Sequence, residues 1–566
     1  MVSYTFREPI SDPDALARGC RRPRHPVALI AALITAAIVL LPILTVVAVA
    51  LSGGGADWSH LGRYVLPQAS ITTSVLLALV ALGTGFIGVG CAWLVVAYDF
   101  PLRRVLAWAL VLPLAVPPYL AAYAFAEFFD YVGPLQSMIR AIFGFQSRGE
   151  YWFPEIRSTG GAALVMTSVT FPYVYLTARV IFLMQGRNIA DVARTLGAAP
   201  ARVFWRVLLP VARPAIAAGI ALVLMETIND IGAVEHLGVR TLTLSVYSTW
   251  LNRGSLVGAA QIALVMLLLV IALLAAERMA RTNQRFHAPR ATQMKSRPSR
   301  IQLRGWRAPV ATFLGLLPII SGFGIPFLVF GRYALNRLDQ LTDPKLAEAF
   351  LTSLLTALAT AILTVAISLM LLYAARLARS RSMALLVRIA SVGYGLPGTI
   401  LALGLLISLA RFDNLVDALA REYAGFSTGL IFTGSAAAVV LACAIRFLAL
   451  AEGAIQAGLE KLPSHLDEAA RSLGRSAAWS ALSVLLPLLK PAILTAGILV
   501  FVDTVKELSA TILLRPFGFN TLATFVYENA SRGVVEDGAM AALVIIATSI
   551  APVILLSGAL MRDREA

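Results

Sequence analysis

Twelve long apolar runs divide the chain and constrain its fold more than any other feature of the sequence. Each run can cross the hydrocarbon core of a bilayer as a helix, which takes about 20 residues. A helix also satisfies its own backbone hydrogen bonds in lipid. We therefore expect an all-α polytopic membrane protein with about 12 transmembrane helices. The runs lie near residues 27–51, 73–97, 105–127, 161–184, 214–236, 255–276, 309–331, 350–374, 385–410, 428–451, 491–514 and 538–560.

The composition agrees with a membrane protein and excludes other classes. Hydrophobic residues make up 58% of the chain and charged residues only 14%, which is too little polar surface for a soluble protein. The net charge of +16 does not indicate nucleic-acid binding, because the arginines lie in the breaks between apolar runs, as they do on the cytosolic side of membrane proteins. Three scattered cysteines show neither disulfide nor metal-site spacing.

The basic residues also predict the orientation of the chain in the membrane. They are concentrated in segments 1–26, 103–104, 185–213, 376–381 and 562–564. With an even number of spans, both termini are then expected in the cytosol. The first run exceeds the roughly 7–15 apolar residues of a signal-peptide core, so we interpret it as an uncleaved first span behind a basic cytosolic tail.

One stretch of the sequence occurs twice. The copies read DVARTLGAAPARVFWRVLLPVARPAI at 191–216 and EAARSLGRSAAWSALSVLLPLLKPAI at 468–493, with an offset of 277 residues. Further matches extend the duplication: Thr73-Ser74 aligns with Thr352-Ser353 at an offset of 279, and Pro117 aligns with Pro397 at 280. We therefore expect two six-helix repeats with the same orientation, related by an axis along the membrane normal, with a pathway at their interface.

The duplication predicts the domain organisation. A basic cytosolic tail at 1–26 precedes a first transmembrane repeat at 27–276 and a second at 308–561. A basic cytosolic linker, residues 277–307, joins the repeats. We expect the linker to lie against anionic lipid headgroups, and it carries no aromatic or fold signal for nucleic-acid binding.

The duplicated stretch has the features of a docking element. Acidic residues and alanines favour a short helix at its start, a glycine can end that helix, and a second helical stretch leads to a proline. Such a helix–turn–helix could dock into a groove of another protein, or it could be a purely structural interfacial helix; two copies with matched spacing favour docking. The candidate residues are Asp191, Ala193, Gly197 and Pro210 in the first copy and Glu468, Ala469, Ala470, Gly474 and Pro487 in the second.

This pattern resembles the cytosolic loop of ABC importer permeases. The resemblance implies the ABC importer permease fold, in the inner (cytoplasmic) membrane of a bacterium. It also implies two copies of an ATPase subunit, each with a cleft that receives one loop, and a periplasmic substrate-binding protein. The first copy departs from the family pattern, since it has Asp191-Val192 where Glu-Ala is commonest, so the two docking sites are not expected to be equally strong.

The sequence predicts that this chain does not hydrolyse ATP. A P-loop needs glycines followed by a lysine to bind phosphates. None of the five lysines follows a glycine. We therefore expect no cofactor in this chain, with ATP bound on the partner subunit.

Four carboxylates inside the predicted spans are the candidate substrate residues. Glu226 and Asp230 are four residues apart, as are Asp503 and Glu507 in the other repeat, a spacing that places each pair on one face of a helix. Acidic residues in lipid are costly, so we expect these four to face the interior of the bundle. A ring of carboxylates suits a hard cation. The alternatives are that Asp503 pairs with Lys506, or that the acids lock or gate the helices.

A second resemblance concerns the substrate. The stretches at 112–128, 225–250, 458–474 and 505–531 resemble those of fused two-repeat permeases for ferric iron, which implies Fe³⁺ as the cargo. Relatives that import thiamine, polyamines or phosphonates share the architecture. A two-repeat secondary transporter fits the overall plan, but it gives no reason for two matching cytosolic loops. The chain shows no convergent His, Ser or metal constellation that would indicate a membrane enzyme. His236 and His465 are predicted in different compartments, so they are poor candidates for a shared site.

Overall fold

The computed structural model describes residues 26–52, 55–184, 200–282, 300–378, 380–463 and 466–562. Helices dominate this part of the chain, as expected. Eleven helices within it are long and apolar enough to cross a membrane, or up to twelve if a pair bent by 95° counts as one span. The bent pair, Arg103–Ala115 with Pro118–Phe143, corresponds to the third apolar run. The tail before residue 26 and most of the linker lie outside the described residues.

The first repeat contains the helices α1 to α11. They are α1 (Pro26–Ser52), α2 (Gly55–Tyr64), α3 (Leu66–Ala97), α4 (Arg103–Ala109), α5 (Pro118–Phe129), α6 (Pro134–Phe143), α7 (Thr159–Met184), α8 (Leu209–Asn229), α9 (Gly232–His236), α10 (Leu242–Leu251) and α11 (Leu256–Thr282). Helix α11 continues past residue 276, so the start of the expected linker is helical.

The second repeat follows the same order. Its helices are α12 (Arg307–Ile319), α13 (Ile325–Asn336), α14 (Pro344–Ala378), α15 (Arg381–Ala390), α16 (Gly398–Ala424), α17 (Ala437–Leu459), α18 (Leu466–Ser472), α19 (Leu486–Val505), α20 (Thr511–Leu514), α21 (Leu522–Ser531) and α22 (Ala539–Arg562). A π-helical turn, Ile320–Gly324, joins α12 to α13, so that both form one span.

A proline interrupts the third apolar run of each repeat. Pro117 precedes α5, and Pro397 precedes α16, each with an extended backbone. Proline lacks the N–H that a continuous helix needs at that position, and it disfavours helical geometry in the residue before it. The apolar runs at 105–127 and 385–410 therefore do not form single straight helices.

The tenth span lies further along the chain than the apolar run at 428–451 predicts. Asp413 at 0% exposure accepts hydrogen bonds from the backbone of Phe432 (3.1 Å) and Thr433 (2.9 Å) and from the Thr433 hydroxyl (2.7 Å). These bonds stabilise a turn, and α17 begins only at Ala437.

Equivalent hydrogen bonds relate the two repeats. The backbone N–H of Leu242 donates to the hydroxyl of Thr73 (2.9 Å), and that of Leu522 donates to the hydroxyl of Ser353 (2.7 Å). The structure thus pairs Thr73 with Ser353, one residue away from the match at an offset of 279. The alignment expected from the sequence was wrong by one position in this span. Two residues are equivalent when their hydroxyls contact the same neighbouring helix, and a shared Thr-Ser dipeptide does not ensure this.

The first span of each repeat packs against the other repeat. Helix α1 lies along α16, where a side chain on Gly404 would come within 2.2 Å of the Pro42 carbonyl. In the second repeat α13 contacts α5, and the turn before it packs so closely on α7 that a side chain on Gly322 would come within 2.0 Å of the Ser168 carbonyl. Each half therefore contributes one helix to the core of its partner.

Gly404→Ala should destabilise the folded protein. The added methyl group would force α1 and α16 apart, and overpacking of this kind costs about 1–3 kcal/mol. We expect a lower midpoint of thermal unfolding for the detergent-purified chain. Gly331→Ala in α13 is the matched control, because a side chain there would meet no atom within 4 Å. Equal midpoints for the two variants would contradict the close contact.

The end of the linker is attached to the first repeat. Residues Ile301–Gln302 form a short parallel pair with Tyr98–Asp99. Nearby, the Leu303 N–H donates to the Asp99 carbonyl (3.0 Å), and the Thr312 hydroxyl donates to the Pro101 carbonyl (3.0 Å). The start of the second repeat is therefore held at the break between the second and third spans of the first.

Candidate translocation pathway

A cavity of about 80 Å³ lies between the two repeats, and all four predicted carboxylates line it. The first repeat contributes the end of α8 and the beginning of α5, together with part of α7. The second contributes the turn before α16, the middle of α17 and the end of α19. The prediction that Glu226, Asp230, Asp503 and Glu507 face the interior and approach one another is thus consistent with their positions in the described structure.

The acids at the two helix ends cap the helices that follow. Helix α8 ends at Asn229, and the Asp230 carboxylate accepts a hydrogen bond from the backbone N–H of Ala233 in α9 (2.7 Å). In the other repeat, Glu507 accepts hydrogen bonds from the N–H of Ala510 (2.8 Å), which precedes α20, and from that of Thr511 (3.0 Å), its first residue. The prediction that each pair of acids lies on one continuous helix is therefore wrong. The fifth span of each repeat, α8 or α19, ends before its second acid.

Both acids of the second repeat have a cationic partner. Arg446 Nη1 lies 2.7 Å from Glu507 Oε1, with 11% and 1% of the two side chains exposed. Lys506 Nζ lies 2.8 Å from Asp503 Oδ1, which is the alternative pairing considered from the sequence. The sequence interpretation missed Arg446, although a single arginine inside an apolar run indicates a buried partner.

The cavity has two walls, one from each repeat, and they differ in charge. At the offset of 277 residues, Arg446 corresponds to Val169 and Lys506 corresponds to Asn229, so both cations belong to the second repeat. Four carboxylates and two cations give the lining a formal charge of −2 when all of them are ionised. On the first wall, the Glu226 carboxylate has no ion pair or hydrogen bond within the described residues.

Asn229, the residue equivalent to Lys506, connects the two repeats by hydrogen bonds. Its side-chain oxygen accepts a hydrogen bond from the Gly398 N–H (2.5 Å), and its carbonyl accepts one from the Ser509 hydroxyl (2.6 Å). Both donors belong to the second repeat. The end of α8 is therefore fixed to the opposite wall by neutral hydrogen bonds, and it adds no charge to the cavity.

The four carboxylates do not converge on a metal site in this conformation. Among the described residues, no group of three His, Cys, Asp or Glu side chains is placed to hold a metal ion. The capping bonds and ion pairs direct Asp230, Asp503 and Glu507 towards protein partners. The four acids therefore do not form a ring of metal ligands in the described structure. That they act in a substrate pathway or as a gate stays a prediction.

A tyrosine pair joins the repeats beyond the ends of the fifth spans. The hydroxyls of Tyr247 and Tyr527, equivalent residues at an offset of 280, lie 3.2 Å apart. Tyr527 also donates to Glu235 Oε2 at 2.6 Å. Because each repeat contributes the same residue, the pair marks the pseudo-two-fold axis between α10 and α21.

The second copy of the duplicated stretch forms the predicted helix–turn–helix. Helix α18 is followed by Gly474 in the left-handed conformation (φ +75°), and the backbone N–H of Arg475 donates to the Ala470 carbonyl (3.1 Å). Leu473 at the turn is 80% exposed. A short helix, Ala477–Ser480, and a π-helical turn, Ala481–Leu485, then lead directly into α19.

The remaining predicted loop residues divide into two groups. Asp191, Ala193 and Gly197 lie outside the described residues, as does the side chain of Glu468. Pro210 and Pro487 occupy equivalent positions at the start of α8 and α19, each shortly after a π-helical turn that leads into the helix. Ala469 lies in α18 beside Ala470.

Comparison with known proteins identifies the family. Residues 84–282 and 367–563 each match the family described as binding-protein-dependent transport system inner membrane component. The chain belongs to this family. It is therefore a multi-pass inner-membrane transport permease with a duplicated permease domain, and its family works with binding-protein and ATPase partners.

Individual relatives differ in the substrate that their names give. The chain is 25% identical over 489 residues to an Fe(3+)-transport system permease protein, FbpB 2, of Haemophilus influenzae, which covers 86% of this chain and 88% of the relative. It is 32% identical over 180 residues to the sulfate transport system permease protein CysW of Escherichia coli, covering 31% and 59% respectively. A probable sulfate permease protein cysT of Chlorokybus atmophyticus is 30% identical over 178 residues. The resemblance to fused ferric-iron permeases is thus confirmed, whereas the substrate is not.

Proposed function

We propose that this chain is the translocating subunit of an ABC importer that carries ferric iron from a periplasmic binding protein into the cytosol. Two ATPase subunits dock on the two cytosolic loops and hydrolyse ATP, and both termini lie in the cytosol. The observation that carries the substrate proposal is the excess of carboxylates in the cavity between the repeats, above all the unpaired carboxylate of Glu226.

The charges in the cavity favour a cation over sulfate. An oxyanion needs hydrogen-bond donors and positive charge that are free to bind it. In the described lining, the two cations already pair with Glu507 and Asp503. An anion would have to displace these carboxylates, and it would still face Glu226. A cation meets a wall that already has the opposite charge.

A continuous helical connection joins the cytosolic loop to the cavity. From the second loop, the π-helical turn Ala481–Leu485 continues into α19, which ends at Val505 beside Lys506 and Glu507. Twenty residues of α-helix span about 30 Å. Movement of the loop, when ATP binding closes the ATPase subunits, therefore shifts the ion-paired wall of the cavity. The end of α8 occupies the equivalent place in the first repeat.

Transport by the reconstituted complex tests this proposal. The chain would be assembled in proteoliposomes with its ATPase subunit and binding protein, and uptake of radiolabelled Fe³⁺ would be measured. We expect ATP-dependent uptake that excess sulfate, thiamine or polyamine does not reduce. Uptake of labelled sulfate without uptake of iron would overturn the substrate proposal.

A further inference from the structure

Three phenol groups share the cavity with the unpaired carboxylate. Tyr119 in α5, Tyr173 in α7 and Tyr394 in the turn before α16 all line it. Tyr119 is 2% exposed, and its hydroxyl is buried without a hydrogen-bond partner. Neither of the other two hydroxyls forms a hydrogen bond within the described residues.

A buried hydroxyl without a partner in a cavity wall, such as that of Tyr119, indicates a ligand. A buried polar group without a hydrogen bond costs about 1–3 kcal/mol, and such groups are rare in folded proteins. Glu226 and Asp503 line the same cavity, but none of the three phenols donates to a carboxylate within the described residues. Four oxygen groups, the three phenols and Glu226, thus line one cavity without a hydrogen-bond partner there.

We propose that Glu226 and these phenol oxygens form a transit site that holds ferric iron as the bare ion. The proposal rests on ferric iron being the cargo. Fe³⁺ is a hard cation and prefers oxygen ligands. When the ion binds, two phenols release their protons, which leave the cavity for bulk water. Two phenolates and the Glu226 carboxylate then balance the charge of +3 without a further counter-ion.

The arrangement also makes binding depend on the state of the importer. Glu226, Tyr119 and Tyr173 belong to the first repeat, whereas Tyr394 belongs to the second. Any movement of one wall relative to the other changes the distance between ligands that coordinate the same ion. A site divided between the repeats therefore binds iron in one state of the importer and releases it in another.

Coordination by phenolate has a spectroscopic signature that a structural role would not produce. Phenolate bound to Fe³⁺ gives a charge-transfer absorption band in the visible region. Ferric citrate would be titrated into the purified full-length chain and the band recorded. We expect the band with the natural chain and a loss of affinity for Fe³⁺ on the order of tenfold or more in Tyr173→Phe and Tyr394→Phe, since even outer-shell changes cost 10–100-fold in metal affinity.

Tyr333→Phe is the matched control. The Tyr333 hydroxyl donates to Glu127 (2.6 Å) outside the cavity, so this variant loses a phenol and should keep the band. Absence of a band, or equal loss in the control, would overturn the transit site. The uptake assay separates the two proposals: if the natural complex imports iron but no band forms, the cargo assignment stands and only the site is wrong. If it imports no iron, both are wrong.

Discussion

Gly474→Val should strongly weaken the coupling of ATP hydrolysis to transport. Gly474 adopts φ +75° at the turn after α18, and a side chain there would meet no atom within 4 Å. Among the described residues, the backbone conformation is therefore the only constraint on this position. The left-handed conformation costs an ordinary L-residue roughly 1–2 kcal/mol, and it is a marked outlier for a β-branched residue. The turn would change its path, and α18 would no longer present the docking surface that we propose for the ATPase subunit.

The measurement is the number of Fe³⁺ ions imported per ATP hydrolysed by the assembled complex. We expect a decrease of at least about tenfold for the valine variant, which corresponds to 1.4 kcal/mol of lost coupling. Gly474→Asn is the matched control, because asparagine tolerates the left-handed region. Gly453→Ala in α17, another glycine with open space around it, tests for a general effect of added side chains. Similar ratios for the valine and asparagine variants would refute the importance of the turn.

Arg446→Met should cause a large loss of stability. It would leave the carboxylate of Glu507, of which 1% is exposed, without its ion-pair partner. Removal of one member of a buried ion pair costs about 3–5 kcal/mol, because an uncompensated charge remains inside. We expect a markedly lower midpoint of thermal unfolding for the detergent-purified chain.

The double variant Arg446→Met/Glu507→Gln should recover much of this loss, because it removes the stranded charge and keeps an acceptor for the N–H groups of α20. Arg532→Met provides a surface control, since Arg532 is 70% exposed and lies 4.0 Å from Glu528, and pairs of this kind contribute about 0–1 kcal/mol. If the double variant unfolds at the same temperature as Arg446→Met, the stranded charge is not the cause.

The sequence predicts the large-scale organisation of this protein well. Apolar runs define the number of spans because a bilayer requires helices of a minimum length. The offset of 277 residues defines two repeats, and Gly474 ends α18 as expected for a glycine that can adopt positive φ. The carboxylates face a cavity because lipid excludes them. Each of these inferences depends on local sequence or on a general property of the membrane.

The features that the sequence did not predict depend on contacts between distant segments. Glu507 pairs with Arg446, 61 positions away and on a different helix. Helix α1 packs on α16, although the sequence alone suggests that it belongs to the first repeat. Hydropathy also cannot show where a fifth span stops, since Asp230 and Glu507 end a helix by capping the next one. Each of these results follows from packing in three dimensions.

The unequal walls have a consequence for why the two repeats share one polypeptide. Two copies of the first repeat would place four carboxylates in the cavity with no cation, because Glu226 and Asp230 have no cationic partner from their own repeat among the described residues. Two copies of the second would give a neutral cavity, since Arg446 and Lys506 offset Glu507 and Asp503. If the halves were separate chains, two copies of the same half could assemble with each other. Covalent fusion ensures a one-to-one stoichiometry of unlike halves, and thereby an intermediate negative charge in every molecule.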